Sequence, residues 1–389
     1  MKILLISPSP PDYLGGISHF TRDLAKNLGK NNIKVDYLCS SLTKNKSTRT
    51  HYSKNVFLIK KKCFLLADNQ NFLRIKNPVF NVLSHLIKYG RSYDLIHVHS
   101  FIYFSTIQTF IYKIFINRTT PVILHLHGGV QTSNFPVSNS KERLLIFLKK
   151  YFFDLVFGKI ILRTANAVIS VSKEDLLSVN QVFKTSRKKH SYYIPNVIDV
   201  KTFKKNPNLK RKYLGFIGRL TLIKGIDLFL QLIKKYNEID KNQEYLIIGD
   251  GPYLPDVKKA LKEYPITFHK QISHEDMPHF YNQFSIFIQT SRTEGLPTCV
   301  LEALSSEVPV VASKVGGIAE LINNGMTGYT FESGKVEQAI DQILLIKEKN
   351  SYEMLGKNGR ELIQKNYSWD IITKKIIKIY ERIFQGKKQ

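Results

Sequence analysis

Two glutamates, Glu294 and Glu302, stand eight positions apart, with a Gly-Leu-Pro bend after the first. An ionised carboxylate can accept hydrogen bonds from two neighbouring hydroxyl groups, so the pair could hold a polyhydroxylated ligand. Acidic residues are also favoured near the start of a helix. Two solvated glutamates without a ligand are therefore an equally simple interpretation of this stretch alone.

The residues around the two glutamates predict a strand followed by a helix. Residues 285–290 are short, apolar and partly β-branched, which is typical of a buried strand. From Thr298 the apolar residues recur at helical spacing and stop at Val308-Pro309. Glu294 is therefore expected at the carboxyl end of a strand, and Glu302 inside the next helix. Open α/β sheets bind their ligands at the carboxyl ends of parallel strands.

Basic residues before the two glutamates and glycines after them could bind phosphate groups. Arg219 and Lys224 follow another predicted strand, five positions apart across a loop. A guanidinium fork and a lysine point charge together suit a pyrophosphate. Gly316-Gly317 lies between a predicted strand and a helix and could offer free backbone N–H groups to a phosphate. Each feature also occurs without a ligand, as a solvated basic pair or an ordinary turn.

Histidines mark the strand ends of the first half. His127 closes a predicted strand and precedes Gly128-Gly129, which suggests a side chain exposed at a cleft. His97 and His99 flank another strand and could simply be satisfied polar groups. No spacing of histidine, cysteine and carboxylate residues matches a zinc motif, and the sequence has no D-x-D. We therefore predict no metal site.

The length of 389 residues predicts more than one domain. Strand-like runs alternate with helical stretches in both halves, which indicates parallel β-α units and two successive doubly wound domains. We place an N-terminal domain at residues 1–196, a polar, lysine-rich linker at 197–212, a C-terminal domain at 213–367 and a final helix at 368–389. A cleft between the domains is the expected ligand site.

The net charge of +27 is concentrated in the first half of the chain. Residues 1–200 hold 29 basic and 10 acidic residues, or +19, and the remainder holds 29 and 21, or +8. The electrostatic field of this positive charge attracts polyanions such as nucleic acid, an anionic bilayer or a phosphorylated substrate. Residues 141–163 interleave basic and bulky apolar side chains, which suits an interfacial helix or a core helix with a basic face. No helix-turn-helix, RNP-like or zinc-finger pattern favours nucleic acid.

The apolar runs and the cysteines bear on localisation. No stretch approaches the roughly 18 uncharged apolar residues of a membrane span, and three cysteines without a C-x-x-C pair indicate a reducing compartment. We expect a cytoplasmic protein whose contact with a membrane, if any, is peripheral.

Taken together, these motifs resemble glycosyltransferase family 4, whose members are retaining enzymes with the GT-B fold. The glycine and charge motifs occur in order over nearly the whole chain: Gly15-Gly16, His127-Gly128-Gly129, Gly218-Arg219-Leu220, Lys224-Gly225, Gly249-Asp250-Gly251-Pro252, Glu294 with Glu302, and Gly316-Gly317. The glutamates combined with the upstream Arg219 and Lys224 are the specific part of the resemblance. It implies two Rossmann-like domains that face each other across a cleft, with the final helix crossing back to the N-terminal domain.

The resemblance also implies roles for the charged residues. Arg219 and Lys224 would bind the donor's diphosphate and stabilise the negative charge that grows on it. Glu302 would hold the ribose hydroxyls, and Glu294 would meet sugar hydroxyls near C3 and C4. His127 would face the sugar at the domain interface. The predicted catalytic residues are Arg219, Lys224, Glu294 and His127.

Backbone groups complete the implied donor site. Gly16 would let the chain approach the phosphates and the acceptor. Amides around Leu296 would add to the grip on the sugar, except at Pro297, which lacks an N–H group. The predicted donor-binding residues are Gly16, Gly218, Arg219, Lys224, Glu294, Gly295, Leu296 and Glu302. Members of the family generally need no metal, in agreement with the missing D-x-D.

The implied activity is the retaining, metal-independent transfer of a hexose or N-acetylhexosamine from a nucleotide-diphosphate sugar, with a UDP-sugar favoured. The acceptor would be a saccharide, expected to be lipid-linked, in the synthesis of a bacterial capsule, O-antigen or exopolysaccharide. No cofactor is expected beyond the donor itself. A GT-B epimerase or phosphorylase is the alternative, because epimerases also bind sugar nucleotides. A basic nucleic-acid-binding protein is a remote alternative.

Overall fold

Alternating strands and helices build two separate α/β units. The structure is a computed structural model, and it describes residues 1–13, 16–42, 47–65, 78–127, 157–173, 176–177, 179 and 190–386. Unit 1 contains the described residues up to Pro195 together with those from Trp369 onward, and unit 2 contains Asn196–Ser368. In the part of the chain that the structure describes, no helix combines the length and apolar character needed to span a bilayer.

Unit 1 is built on a largely parallel sheet. Its strands in chain order are β1 (Lys2–Ser7), β2 (Lys34–Ser40), β3 (Thr48–Ser53), β4 (Val56–Lys61), β5 (Cys63–Leu65), β6 (Pro78–Phe80), β7 (Leu95–His99), β8 (Val122–Leu126), β9 (Ala167–Ser170) and β10 (His190–Tyr193). Among the described residues, eight of them form one sheet in the order β10-β9-β8-β7-β1-β2-β4-β3. β3 runs antiparallel to β4, and β5 pairs with β6 in a separate small sheet. The apolar run from Ile3 to Ile6 is fully buried, as expected for a parallel strand covered on both faces.

The helices of unit 1 cover this sheet through amphipathic stripes. They are α1 (Gly16–Lys30), α2 (Leu83–Tyr89), α3 (Phe104–Ile111), α4 (Lys159–Thr164) and the C-terminal helix (Trp369–Gln385). In α1, Phe20, Leu24 and Leu28 recur every fourth position and are buried. The ring of Trp369 lies 5.4 Å from that of Phe20. The C-terminal helix therefore packs within unit 1, although it follows unit 2 in the chain.

Unit 2 is built on a fully parallel sheet with the doubly wound strand order. Its strands are β11 (Tyr213–Ile217), β12 (Tyr245–Ile248), β13 (Ile266–His269), β14 (Phe284–Gln289), β15 (Val310–Ser313) and β16 (Gly328–Phe331). Their spatial order is β13-β12-β11-β14-β15-β16, so the chain direction of the winding reverses between β11 and β14. This reversal is the topological switch point, where α/β sheets of this kind bind ligands.

Helices flank the sheet of unit 2. They are α5 (Ile226–Ile239), α6 (Leu254–Ala260), α7 (Met277–Tyr281), α8 (Thr298–Ser305), α9 (Ile318–Leu321), α10 (Val336–Glu348) and α11 (Tyr352–Asn366). Apolar side chains of α5 and α10 share one core cluster with β11, β12 and β14. α8 packs against α11, where a side chain at Gly359 would meet Leu304 at 2.8 Å. These helices therefore pack around the sheet whose carboxyl edge carries the loops.

Residues 197–212, predicted as a linker, are part of unit 2. Phe203 is fully buried, and its ring lies 5.3 Å from that of His274 and 5.8 Å from that of Tyr281. Arg211 donates hydrogen bonds to the carbonyl oxygens of Ser306 and Glu307. The segment is anchored by one aromatic ring and by side chain–backbone hydrogen bonds, and neither produces an apolar periodicity in the sequence.

Candidate functional site

Two loops meet at the switch point of unit 2. The β11 loop, defined here as residues 218–225, connects β11 to α5, and the β14 loop, residues 290–297, connects β14 to α8. β11 and β14 are adjacent and parallel, so both loops leave the same edge of the sheet. Six of the predicted site residues in unit 2 lie on these two loops: Gly218, Arg219, Lys224, Glu294, Gly295 and Leu296.

Lys224 and Glu294 form an ion pair that joins the two loops. The Lys224 Nζ atom lies 2.6 Å from Oε1 and 2.7 Å from Oε2 of Glu294. Oε1 also accepts hydrogen bonds from Gln289 Nε2 at 2.9 Å and Ser291 Oγ at 2.7 Å. The side chain of Glu294 is 7% exposed and that of Lys224 is 21% exposed. The carboxylate is thus fixed by three neighbouring side chains, while the ammonium group keeps one N–H for another acceptor.

A second charged pair reinforces the first. The Arg292 guanidinium binds both oxygens of the Asp227 carboxylate, at 2.7 and 2.6 Å, and donates to the Leu222 carbonyl oxygen at 2.6 Å. The hydrogen-bonded Asp227 carboxylate raises the pKa of Arg292, so the guanidinium stays charged. The Arg292 N–H also donates to the Ile223 carbonyl oxygen at 2.8 Å. Neither residue was predicted, since an arginine after a strand and an aspartate in a first helical turn are common without a partner.

Backbone close approaches require glycine at the two loops. Gly225 has φ +70°, and a Cβ there would lie 1.9 Å from the Thr290 carbonyl oxygen. Gly316 has φ +51°, and its Cβ would lie 1.9 Å from the Glu294 carbonyl oxygen. The Gly317 N–H donates to the Gly295 carbonyl oxygen at 2.6 Å. The hypothesis that Gly316-Gly317 offers free N–H groups to a phosphate is therefore wrong for Gly317, because its N–H holds the β14 loop.

The β14 loop is held by its carbonyl groups. Besides the bond at Gly295, the Leu296 carbonyl oxygen accepts a hydrogen bond from Asn196 Nδ2 at 2.5 Å. Within the described ranges, the N–H groups of Gly295 and Leu296 make no hydrogen bond. These two amides are therefore available to a ligand, and the sugar-binding role that the resemblance implies for them stays a prediction.

Glu302 lies in α8 and is held by two ring side chains. The Tyr281 hydroxyl donates to Oε2 at 2.6 Å, and His274 Nε2 lies 3.3 Å from Oε1. Burial, and then the nearby carboxylate, raise the pKa of Tyr281 well above its usual value, so the phenol remains a donor. Each carboxylate oxygen has one partner and can accept another hydrogen bond. The sequence carries no periodic signal that would have identified Tyr281 or His274.

Arg219 projects from a rigid part of the β11 loop. Its side chain is exposed, whereas the backbone beside it is paired with the turn after β12. The Gly218 N–H donates to Ile248 O at 3.0 Å, and the Leu220 N–H donates to Asp250 O at 3.0 Å. The backbone on both sides of Arg219 is thus held by hydrogen bonds.

The remaining predicted site residues, Gly16 and His127, belong to unit 1. Gly16 is the first residue of α1, and a Cβ there would meet nothing within 4 Å. His127 directly follows β8 and is half-buried; its Nε2 atom lies 2.8 Å from His99 Nδ1. Gly15, Gly128-Gly129 and residues 141–156 fall outside the described residues. The roles predicted for Gly16 and His127 stay predictions.

His127 is one of four histidines grouped at the ends of two neighbouring strands. His97 and His99 lie on β7, and His125 lies on the adjacent β8. These three are fully buried. Burial lowers the pKa of His97 to about 3, and it lowers the pKa values of His99 and His125 well below the usual value. The two H-x-H patterns, at 97–99 and 125–127, are the sequence signal that could have predicted this cluster, since alternate strand residues share a face.

Two doubly wound α/β units in one chain, the second with a charged site at its switch point, are the architecture of GT-B proteins. The Glycosyltransferase Family 4 model matches residues 14–202, and the Glycosyl transferases group 1 model matches residues 197–362. The chain therefore belongs to glycosyltransferase family 4, as the resemblance of its motifs predicted.

Individual relatives agree with the family and the fold. The chain is 33% identical to the sulfoquinovosyl transferase SQD2 of Arabidopsis thaliana over 41% of this chain and 31% of that protein. It is 27% identical to the capsular polysaccharide biosynthesis glycosyltransferase CapM of Staphylococcus aureus over 59% of this chain and 65% of CapM. The matches thus span less than two thirds of either relative. The crystal structure of HepE from Anabaena has a TM-score of 0.72 at 18% identity, covering 98% of this chain and 100% of HepE. The predicted GT-B fold is confirmed.

The replacement of Lys224 by Met is expected to lower the free energy of unfolding by about 1–3 kcal/mol, because it leaves the nearly buried Glu294 carboxylate without its cation. Glu294→Gln in the same chain should recover part of this loss, since an amide needs no counter-ion. Urea denaturation followed by far-UV circular dichroism measures the effect, because the single tryptophan, Trp369, reports on unit 1.

Lys235→Met is the matched control, because it removes a lysine of the same unit whose ion pair with Glu337 is exposed. Its effect should be small. Equal losses of unfolding free energy in Lys224→Met and Lys235→Met would contradict a structural role for the Lys224–Glu294 pair.

Proposed function

We propose that the protein is a retaining glycosyltransferase that moves a hexose or N-acetylhexosamine from a nucleotide-diphosphate sugar to a saccharide acceptor, without a metal at the donor. The observation that carries this proposal is the pairing of Lys224 with Glu294 at the switch point, beside the exposed Arg219. A cation for a diphosphate and a carboxylate for sugar hydroxyls are thereby joined in one fixed unit. Membership in the glycosyltransferase family supports the same activity.

The cations act on the leaving group. Breaking the anomeric C–O bond builds oxocarbenium character on the sugar and negative charge on the diphosphate. Arg219 can reach that charge from the surface, and Lys224 can donate its third N–H to it while it remains bound to Glu294. Because the β11 loop is fixed beforehand, these groups need little reorganisation, and such preorganised electrostatic stabilisation is usually the largest catalytic contribution.

The two carboxylates divide the donor between them. Oε1 of Glu294 is bound by Lys224, Gln289 and Ser291, whereas Lys224 is the one described residue that binds Oε2. Oε2 and the neighbouring amides of the β14 loop are therefore suited to sugar hydroxyls. Glu302, oriented by Tyr281, is suited to the ribose hydroxyls of the nucleotide.

The proposed mechanism needs no protein nucleophile. A carboxylate bound as tightly as Glu294 is a poor nucleophile, since its lone pairs are engaged by donors. In a front-face reaction the departing phosphate oxygen removes the proton of the acceptor hydroxyl, and the configuration at the anomeric carbon is retained. His127 is proposed to face the donor sugar.

The nature of the two substrates rests on the relatives. HepE, which shares the fold, was crystallised with UDP and with UDP-glucose, which favours a UDP-sugar as the donor. CapM is named for capsular polysaccharide biosynthesis, which favours a saccharide acceptor of a bacterial surface polysaccharide. We propose that this acceptor is lipid-linked. A GT-B epimerase or phosphorylase would use the same donor site. A glycosylated acceptor distinguishes transfer from either, because an epimerase alters only the free donor.

A thermal-shift panel of UDP-, GDP- and ADP-sugars tests the donor site. A UDP-sugar is expected to raise the Tm of the full-length protein, because a ligand that binds only the folded state stabilises it. Arg219→Ala should diminish this shift and reduce the rate of transfer by about 10²–10³-fold. Arg91→Ala, which removes an exposed arginine of unit 1, should change neither. The proposed function is abandoned when no nucleotide sugar stabilises the wild-type protein.

Substitution of each glutamate tests whether Glu302 binds the nucleotide and Glu294 binds the sugar. Glu302→Ala is expected to weaken UDP binding by about tenfold or more in calorimetry, since a hydrogen bond to a charged group contributes about 1.5–3 kcal/mol. Glu294→Ala should not weaken UDP binding, because it frees Lys224 for the diphosphate, but it should cut transfer about 10²-fold. Glu302→Gln keeps an acceptor for Tyr281 and controls for local unfolding. Similar behaviour of the Glu294 and Glu302 variants contradicts the division of roles.

Peripheral association with an anionic membrane is part of the proposal, and it would bring a cytoplasmic enzyme to a lipid-linked acceptor. Its support is the charge of the first half of the chain and the surface around α4. There Phe157 is 40% exposed and Ile160 is 46% exposed, and the exposed Arg163 lies one turn away from Ile160. Apolar side chains flanked by basic ones suit the headgroup region of a bilayer.

Vesicle sedimentation at low salt tests this surface. The protein is expected to bind vesicles that contain phosphatidylserine and to ignore pure phosphatidylcholine. Lys159→Glu/Arg163→Glu should reduce the bound fraction about tenfold or more, since each basic residue near the surface contributes about 1 kcal/mol. Lys241→Glu/Lys262→Glu changes the net charge equally at exposed positions of unit 2 and should have little effect. Equal losses in both double variants would contradict binding through this surface.

A further inference from the structure

Three buried histidines of unit 1 share one small volume. Along the strands, His99 pairs with His125 in register, and side chains two positions apart point to the same face. The ring centroids of His97 and His99 are 4.3 Å apart, those of His99 and His125 are 4.9 Å apart, and those of His97 and His125 are 5.3 Å apart. None of the three side chains reaches solvent.

Hydrogen bonds orient two of these rings from outside the group. His97 Nδ1 lies 2.6 Å from the Tyr380 hydroxyl, and His99 Nδ1 lies 2.8 Å from His127 Nε2. Within the described residues, Nε2 of His97, Nε2 of His99 and both nitrogens of His125 have no hydrogen-bond partner. Buried polar atoms are almost always paired, so unpartnered nitrogens on three adjacent rings suggest a common partner that takes one nitrogen from each ring.

We infer that His97, His99 and His125 bind one zinc ion, with one nitrogen of each ring as ligand. These nitrogens lie within 4.8 Å of one another. A tetrahedral zinc site has Zn–N distances of about 2.0–2.1 Å, so the atoms must each move inward by about 1 Å or less. Uncharged imidazole is the form that binds metals and is a ligand that zinc favours.

The outer hydrogen bonds have the arrangement expected around metal-bound histidines. A ligating histidine donates its other ring N–H to a neighbouring acceptor, which fixes the tautomer and the ring orientation. The Tyr380 hydroxyl and His127 Nε2 occupy these positions for His97 and His99. The half-buried His127 lies at the edge of the cluster.

The ion has a structural role and is separate from the proposed donor site. It links β7 to β8 and, through Tyr380, both strands to the C-terminal helix. All of its ligands belong to unit 1, whereas the charged donor site belongs to unit 2. None of the three zinc ligands is among the residues proposed to bind the donor, so metal content and glycosyl transfer can be tested separately.

Metal content and Co²⁺ spectroscopy test the site directly. Full-length protein stripped with a chelator is incubated with Zn²⁺ and desalted, and its zinc is measured by mass spectrometry. About one zinc ion per chain is expected. Co²⁺ titrated into the stripped protein should give the visible ligand-field bands of a tetrahedral site. Retention of no more zinc than a chelated sample, or the absence of these bands, overturns the inference without recourse to any variant.

His125→Leu is the most informative variant, because the His125 side chain makes no hydrogen bond among the described residues and its replacement breaks none. It should abolish zinc retention and the Co²⁺ bands. With chelator its Tm should equal or exceed that of the wild type, because an unpaired buried polar group is removed. With Zn²⁺ only the wild type should gain in Tm. His51→Leu, at an exposed histidine of the same unit, should behave like the wild type.

Tyr380→Phe separates an orienting partner from a ligand. It keeps all three nitrogens and removes the hydroxyl beside His97, so zinc should still bind at the same stoichiometry with about 10–100-fold lower affinity. Unchanged zinc stoichiometry and affinity in His125→Leu would contradict the proposed ligands, whatever the behaviour of Tyr380→Phe.

Discussion

The candidate donor site depends on charged contacts that tie two loops together across the switch point. The winding of a doubly wound sheet diverges there, so no helix or strand spans the gap between the loops. Lys224–Glu294 and Arg292–Asp227 close it with paired opposite charges. Because each pair is only partly exposed, its attraction is less screened by water than that of a surface pair. The loops are therefore held before any ligand arrives.

A few contacts also connect the candidate site to the residues that surround it in unit 2. Glu302 is oriented by Tyr281, and Tyr281 packs against Phe203 from a segment without regular secondary structure. The β14 loop is held from the other side by Asn196 and by the turn at Gly317. The charged groups of the candidate site thus lie on two loops and on α8, while their positions are set by side chains from distant parts of unit 2.

The sequence predicts the parts of this site better than their contacts. Strand periodicity and loop glycines place Lys224 and Glu294 at strand ends, and the motifs predict the fold. However, the two residues are 70 positions apart, and their direct contact follows only from the pairing of β11 with β14. The packing of residues 197–212 into unit 2 could not be predicted either, since a single buried aromatic residue, Phe203, in a polar segment leaves no periodic pattern. The two H-x-H patterns each place two histidines on one face of a strand, but their meeting depends on the register of β7 against β8, which is not a local property of the sequence.

The C-terminal helix imposes an order on synthesis. Within the described residues unit 2 is one continuous segment, Asn196–Ser368, whereas unit 1 is completed only by residues that leave the ribosome after that segment. Until then the nascent unit 1 lacks Trp369 against Phe20 and Tyr380 against His97. Unit 2 can therefore fold first during translation, and the buried histidines stay uncovered in the nascent chain until the last helix docks.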